Sequence, residues 1–193
     1  MGVTKAAPVS AREAWRIYEK ADRLFDAQAV KAALDRMAVA ISARLCDSDP
    51  IVVCLMNGGL VPLGRLLPRF DFPLQVDYVH ATRYGERLKG GELDWIAGPF
   101  VNSRGRTVLL VDDILDEGAT LAAIERRYRD DGAREVLKAV LVVKDRPRSI
   151  AITAEFAGLT VPDRYVFGCG MDYKGYLRNA PGIYAVAEES EEK

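Results

Sequence analysis

The chain has 193 residues, 49% of them hydrophobic, enough to bury the core of one domain. With 27 Lys and Arg against 28 Asp and Glu, its formal net charge of −1 lacks the basic footprint of a general nucleic-acid binder. No apolar run reaches the length of a membrane span, and the N-terminus lacks the charged and apolar blocks of a signal peptide. Cys46, Cys54 and Cys169 are an odd set without C-x-x-C spacing, which points to reduced thiols and a cytoplasmic location. His80 is the only histidine, which argues against a histidine-rich metal site.

Residues 10–46 read as helical. Ala11–Lys20 is a charged, alanine-rich first segment, and Asp26 is placed to cap a second helix from about Ala27 to Leu45. There Val30, Leu34, Met37, Ile41 and Leu45 recur at spacings of three and four, the mark of one buried face. Pro50 ends this region, and the apolar run Ile51–Met56 predicts a buried strand. Asn57-Gly58-Gly59 then makes a turn into a helical pattern from about Val61 to Leu67, and Leu74–Val79 alternates as a strand does.

The polar, glycine-rich stretch Thr82–Gly98 carries Arg83, Arg87 and Lys89 and reads as a loop or hairpin. Thr107–Val111 predicts the next buried strand, Thr120–Asp131 its helix, and Glu135–Val143 another strand entering Lys144-Asp-Arg-Pro-Arg148. Tyr165–Phe167 and Ile183–Val186 predict two short strands before an acidic, solvated tail over 188–193. Strands alternating with helices imply an α/β fold, a parallel sheet covered on both faces. Ligands of such sheets sit beyond the carboxyl ends of the strands, so Asn57-Gly58, Asp112-Asp113 and Lys144 are expected to converge on one crevice.

The most telling stretch is Val108-Leu-Leu-Val-Asp-Asp-Ile-Leu-Asp-Glu-Gly-Ala-Thr120. A buried strand runs into two adjacent carboxylates, a third carboxylate and a glycine turn that opens a helix. The turn offers backbone N–H groups to an anion, and the carboxylates accept bonds from vicinal hydroxyls or hold Mg²⁺. A ligand bearing both a phosphate and a sugar diol would use all of these parts. The plain alternative is a solvated turn in which Asp116 caps the helix. Neighbouring residues of a strand point to opposite faces, so Asp112 and Asp113 can share one sugar only if the chain bends there.

At these residues the chain resembles the purine phosphoribosyltransferases, most closely the hypoxanthine-guanine type, from about residue 50 to 186. The resemblance implies a type I phosphoribosyltransferase fold, with a central parallel sheet flanked by helices and a small hood built from N- and C-terminal elements. It implies one domain over 1–187, with the helical segment 10–46 packed on it. It also implies Mg²⁺-dependent transfer of the 5-phosphoribosyl group from phosphoribosyl pyrophosphate (PRPP) to hypoxanthine or guanine. The alternatives are a xanthine-preferring relative and a PRPP-sensing regulator on the same fold.

The site roles that follow are those the resemblance implies. Asp112 and Asp113 hold the ribose hydroxyls, and Asp116, Glu117, Gly118, Ala119 and Thr120 bind the 5′-phosphate, with Asp116 also the general base near the purine N7. Asn57, Gly58 and Arg178 bind pyrophosphate, with a cis peptide at Met56–Asn57. Lys144 donates to the purine O6, Tyr165 stacks on the base, Val166 reads its edge through the backbone, and Asp172 lies beside it. Asp112, Asp113 and Asp172 bind Mg²⁺. Arg83 and Tyr84 open a lid. A homodimer or homotetramer is expected, with no nucleic-acid or membrane partner. Three positions depart from the family pattern: Glu117 replaces a small hydroxyl residue, Asn57 often a lysine, and Arg83 a serine.

Overall fold

In the chain order of the helices, Ser10 accepts a hydrogen bond from the Glu13 N–H and caps α1 (Ala11–Lys20). Asp26 Oδ1 accepts one from the Ala29 N–H at 2.8 Å and caps α2 (Ala27–Leu45), where the capping argument put it. The computed structural model describes residues 9–82 and 94–188. Its main sheet has six strands in the order β4 (Asp94–Ala97), β3 (Gln75–Thr82), β2 (Ile51–Leu55), β5 (Thr107–Leu115), β6 (Glu135–Asp145) and β7 (Phe156–Pro162). All pairings are parallel except β3 with β4.

The two faces of this sheet are covered separately. On one, Val30, Leu34, Met37, Ile41 and Leu45 of α2 pack with Val52, Cys54, Leu109 and Val111. On the other, Leu121, Ile124 and Tyr128 of α4 (Ala119–Asp130) pack with Ile51, Val53, Val108 and Leu110. The short helix α3 (Leu60–Leu66) follows β2 directly. Among the described residues no helix is long and apolar enough to cross a membrane.

A second, three-stranded antiparallel sheet forms the expected hood, in the order β1 (Asp22–Phe25), β9 (Ile183–Ala185) and β8 (Val166–Phe167). Its far side packs on α1 through Tyr18, which meets Tyr184 edge-on at 4.9 Å. Arg164 ties β1 to the segment just after β9, donating to Asp22 Oδ2 at 2.6 Å and to the Val186 carbonyl at 2.8 Å.

Several elements differ from expectation. Asp22–Phe25 lies inside the region read as helical, yet it pairs with β9, residues that lie some 160 positions later in the chain. Tertiary pairing overrides weak local preference there. β7 escaped the sequence reading because it is an edge strand carrying a glycine and ending in proline. Gly158 is needed for close approach of α2, since a Cβ would lie 2.6 Å from the Leu141 carbonyl and 2.9 Å from Met37 Sδ. The hairpin option for 82–98 holds in that β4 runs antiparallel to the end of β3, while Arg83 and Tyr84 fall outside the described residues. Tyr165 stands just before β8 rather than inside it.

Candidate functional site

β5 does not stop at Val111 as expected but continues through both acids to Leu115, paired with β6. Its alternation inverts on the way. Leu109 and Val111 face the α2 side and Val108 and Leu110 the α4 side, but then Ile114 joins the α2 side and Leu115 the α4 side. β6 inverts alongside it: Leu141 and Val142 both face α2, with Val143 toward α4. The bend that the adjacent acids require is therefore present. It leaves the Asp113 N–H donating to Asp112 Oδ1 at 2.9 Å.

Asp113 is only 7% exposed, wedged between two glycines from distant turns. A Cβ at Gly58 would lie 2.5 Å from the Asp113 carboxyl carbon, and one at Gly170 would lie 3.0 Å from Asp113 Cβ. Gly170 also has a φ of +111°, which side-chain-bearing residues rarely adopt. Burial pushes the Asp112 carboxyl well above the usual range, and the neighbouring Asp113 charge adds to it. Burial likewise raises Asp113, against the opposing effects of its Asp112 hydrogen bond and the Arg178 guanidinium. Arg178 pairs with Asp172 at 2.6 Å, lies 3.7 Å from Asp113 Oδ2, and donates to the Gly170 carbonyl at 2.6 Å.

Asp116 follows the strand, and it does not cap α4. The cap is Gly118, in the left-handed conformation at φ +81° with no side-chain cap bond, so the simple capping alternative fails. The Asp116 carboxylate turns instead toward the β6 exit, where Lys144 Nζ reaches Oδ2 at 2.9 Å and Arg146 Nη1 reaches Oδ1 at 3.1 Å. Lys144, with a side chain 12% exposed, also lies 3.6 Å from Asp163. This lysine, largely withdrawn from solvent, thus finds carboxylate partners, as its position demands.

Two cavities of about 350 Å³ each meet along Asp112, Asp113, Ile114 and Asp116. One continues along Glu117, Gly118, Ala119 and Thr120 to the N-terminus of α4, where backbone N–H groups lack helical partners. The other is lined by Asn57, Gly58, Lys144, Tyr165, Val166, Asp172 and Arg178. Tyr165, 42% exposed, stands edge-on to Tyr173 at 5.5 Å. The Met56–Asn57 peptide is cis, at the bond the resemblance singled out. Of the expected site residues, only Arg83 and Tyr84 lie outside the description.

Sequence reasoning passed over Met56, Ile114 and Met171, which line the second cavity, and Gly170, Arg146, Arg148 and Asp163, which hold its residues. The alternation of Lys144, Arg146 and Arg148 was the available signal for the two arginines. Among the described residues, no group of three or more His, Cys, Asp or Glu side chains is assembled to hold a metal ion by itself. One cavity thus suits an anion beside hydroxyls, and the other a flat heterocycle with an acceptor for Lys144.

The model of the phosphoribosyl transferase domain matches residues 20–174. The chain is 30% identical over 172 residues to the hypoxanthine-guanine phosphoribosyltransferase of Aquifex aeolicus, covering 88% of this chain and 97% of that protein. It is 27% identical to the protein of that name from Bacillus subtilis, covering 83% and 89% of the two chains. In structure it is similar to a hypoxanthine phosphoribosyltransferase from Staphylococcus aureus, with a TM-score of 0.86 at 22% identity over 92% of this chain and 98% of that one. That likeness bears on the fold.

Proposed function

The chain belongs to the phosphoribosyl transferase family, and on that premise we propose that it serves purine salvage. It transfers the 5-phosphoribosyl group of PRPP to N9 of hypoxanthine or guanine, giving IMP or GMP and pyrophosphate. The observation that carries this reading is the junction of the two cavities at Asp112, Asp113 and Asp116, with Lys144 bound to Asp116.

In this reading Asp112 and Asp113 accept hydrogen bonds from the ribose hydroxyls, and the backbone of Glu117–Thr120 receives the 5′-phosphate at the start of α4. Tyr165 stacks on the base, the Val166 backbone reads its edge, Asp172 lies beside it, and Lys144 donates to O6. Asn57, Gly58 and Arg178 face the pyrophosphate. The C1′–O bond breaks with its electron pair leaving on pyrophosphate as the N9–C1′ bond forms. The base gives up its N7 proton to Asp116. Positive charge that develops on the ribose is stabilised by the surrounding carboxylates.

Mg²⁺ fits this site. Asp112 and Asp113 are carboxylates whose charged forms burial disfavours, so a cation nearby would favour them. An ion that keeps its waters and takes one or two carboxylates plus phosphate oxygens suits a site with no ready-made ligand cluster. Asp112, Asp113 and Asp172 would hold it, and its charge would offset that of the departing pyrophosphate. In this reading the enzyme works in the cytoplasm as a homodimer or homotetramer.

The test is a substrate panel of hypoxanthine, guanine, xanthine, adenine and uracil with PRPP and Mg²⁺. Nucleotide formed from hypoxanthine or guanine supports the reading. Turnover of xanthine alone would move the assignment to a xanthine enzyme. PRPP binding without turnover of any base would favour a regulator.

A further inference from the structure

We infer that Arg146 and Arg148 are positioning residues for Asp116, an inference that rests on the reading of Asp116 as the general base. Lys144 lies at the end of β6, and the chain bends just after it, where the Arg146 N–H donates to the Lys144 carbonyl at 3.1 Å; from this exit Lys144, Arg146 and Arg148 all reach the same neighbour. Each takes a different acceptor atom of that one residue. Lys144 Nζ donates to Oδ2 at 2.9 Å, Arg146 Nη1 to Oδ1 at 3.1 Å, and Arg148 Nε to the main-chain carbonyl at 2.7 Å.

Arg148 does more than hold one carbonyl. Its Nη2 also donates to the carbonyls of Leu115 at 3.2 Å and Lys144 at 2.5 Å. One planar guanidinium therefore joins the end of β5 to the end of β6, where ladder bonding runs out. Only a rigid fork of donors serves three carbonyls in this way.

Arg146 fixes the side chain that Arg148 has placed. The Asp116 carboxylate is 38% exposed and belongs to a turn, where several rotamers would otherwise be open to it. The same Nη1 also reaches Asp163 Oδ1 at 3.4 Å, so one guanidinium nitrogen sits between two carboxylates, with Asp116 Oδ1 the nearer. A carboxylate offers about four lone-pair sites. Two cations leave room for an N–H of a bound base, and Lys144 has further N–H groups to offer O6. Neither arginine lines the base-binding cavity, so both act on substrate through the residues they hold, Asp116 first and, by way of the Lys144 carbonyl and Asp163, Lys144.

The test uses the full chain with PRPP, Mg²⁺ and hypoxanthine, comparing Arg146→Ala, Arg146→Lys, Arg148→Lys and Asp116→Asn with the parent. Loss of orientation at a reacting group costs up to about 100-fold. Arg146→Ala is therefore expected to lower kcat roughly 10- to 100-fold, with the KM for PRPP within about twofold. Arg146→Lys is expected to recover most of that loss, because it restores a point charge at Oδ1, whereas Arg148→Lys stays slow, because it cannot span three carbonyls. In an Asp116→Asn background, Arg146→Ala is expected to cost little more, since the amide can still accept from Arg146 but the proton-accepting carboxylate that Arg146 positions is already gone. An unchanged kcat in Arg146→Ala overturns the inference, as does an equal loss in both backgrounds or full activity of Arg148→Lys. If the parent itself forms no nucleotide from any purine, the functional reading fails and the inference falls with it.

Discussion

Gly58→Ala is the sharpest test of how the site is built. Gly58 has no left-handed φ, so the added methyl matters only through the space it needs. Its Cβ would stand 2.5 Å from the Asp113 carboxyl carbon and 2.6 Å from Oδ1, with Oδ2 closer still. Ordinary carbon contacts lie at roughly 3.5–4.0 Å, so something must retreat by about 1 Å. Asp113 cannot simply back away, because Gly170 stands close to its Cβ and Arg178 beside its carboxylate. Overpacking of this kind costs about 1–3 kcal/mol, and a chain of this size loses roughly 2–4 °C of Tm for each. The effect on PRPP should be larger, because a displacement of about 1 Å in a positioned group costs on the order of 100-fold. Gly64→Ala is the control, in the same helix that Gly58 precedes, with nothing within 4 Å of its Cβ. It is expected to gain about 0.5–1 kcal/mol from helix propensity. Thermal unfolding and PRPP titration read both variants. Parent-like PRPP affinity in Gly58→Ala would refute the claim that the glycine exists to admit Asp113.

Three further outcomes are expected. Asp112→Asn in Mg²⁺-free buffer should melt above the parent at pH 7. Burial raises the folded-state pKa of Asp112, so the folded state binds protons more tightly, and stability is lost as pH rises past the unfolded value of about 3.9. The Tm difference should therefore widen from pH 4 to pH 7, and a difference that shrinks instead would contradict the assignment. Asp116→Asn should lower kcat about 10²- to 10⁴-fold while PRPP dissociation changes less than about threefold, and matched losses would remove its proton-accepting role. Glu117→Thr should tighten PRPP binding about fivefold in a calorimetric titration, roughly 1 kcal/mol for a screened charge. No change would show that the Glu117 carboxylate points away from the phosphate.

The strongest local signals in the chain translated directly into structure. The Asp26 cap and the spacing of Val30, Leu34, Met37, Ile41 and Leu45 predict α2, and the unbroken apolar runs predict β2, β5 and β6. The acid loop and the residues quoted around it pointed to the family and to a crevice at the strand ends. These features were legible because capping, periodicity and turn chemistry act between residues a few positions apart. β1 and β7 were not, because each is a strand by virtue of a partner: β9 for one, β6 for the other.

The site followed the same division. That Asp112, Asp113 and Asp116 belong together is plain from their order in the chain, and with them came the family and its chemistry. What only the tertiary structure decided is how those acids are held. The inverted alternation of β5 and β6 brings neighbouring acids to one place, Gly58 and Gly170 close on Asp113 from separate turns, and Lys144, Arg146 and Arg148 divide the acceptors of Asp116 among them. Each of those side-chain contacts joins residues 28 or more positions apart, where exclusion of volume and pairing of charge act through space and leave no period in the sequence.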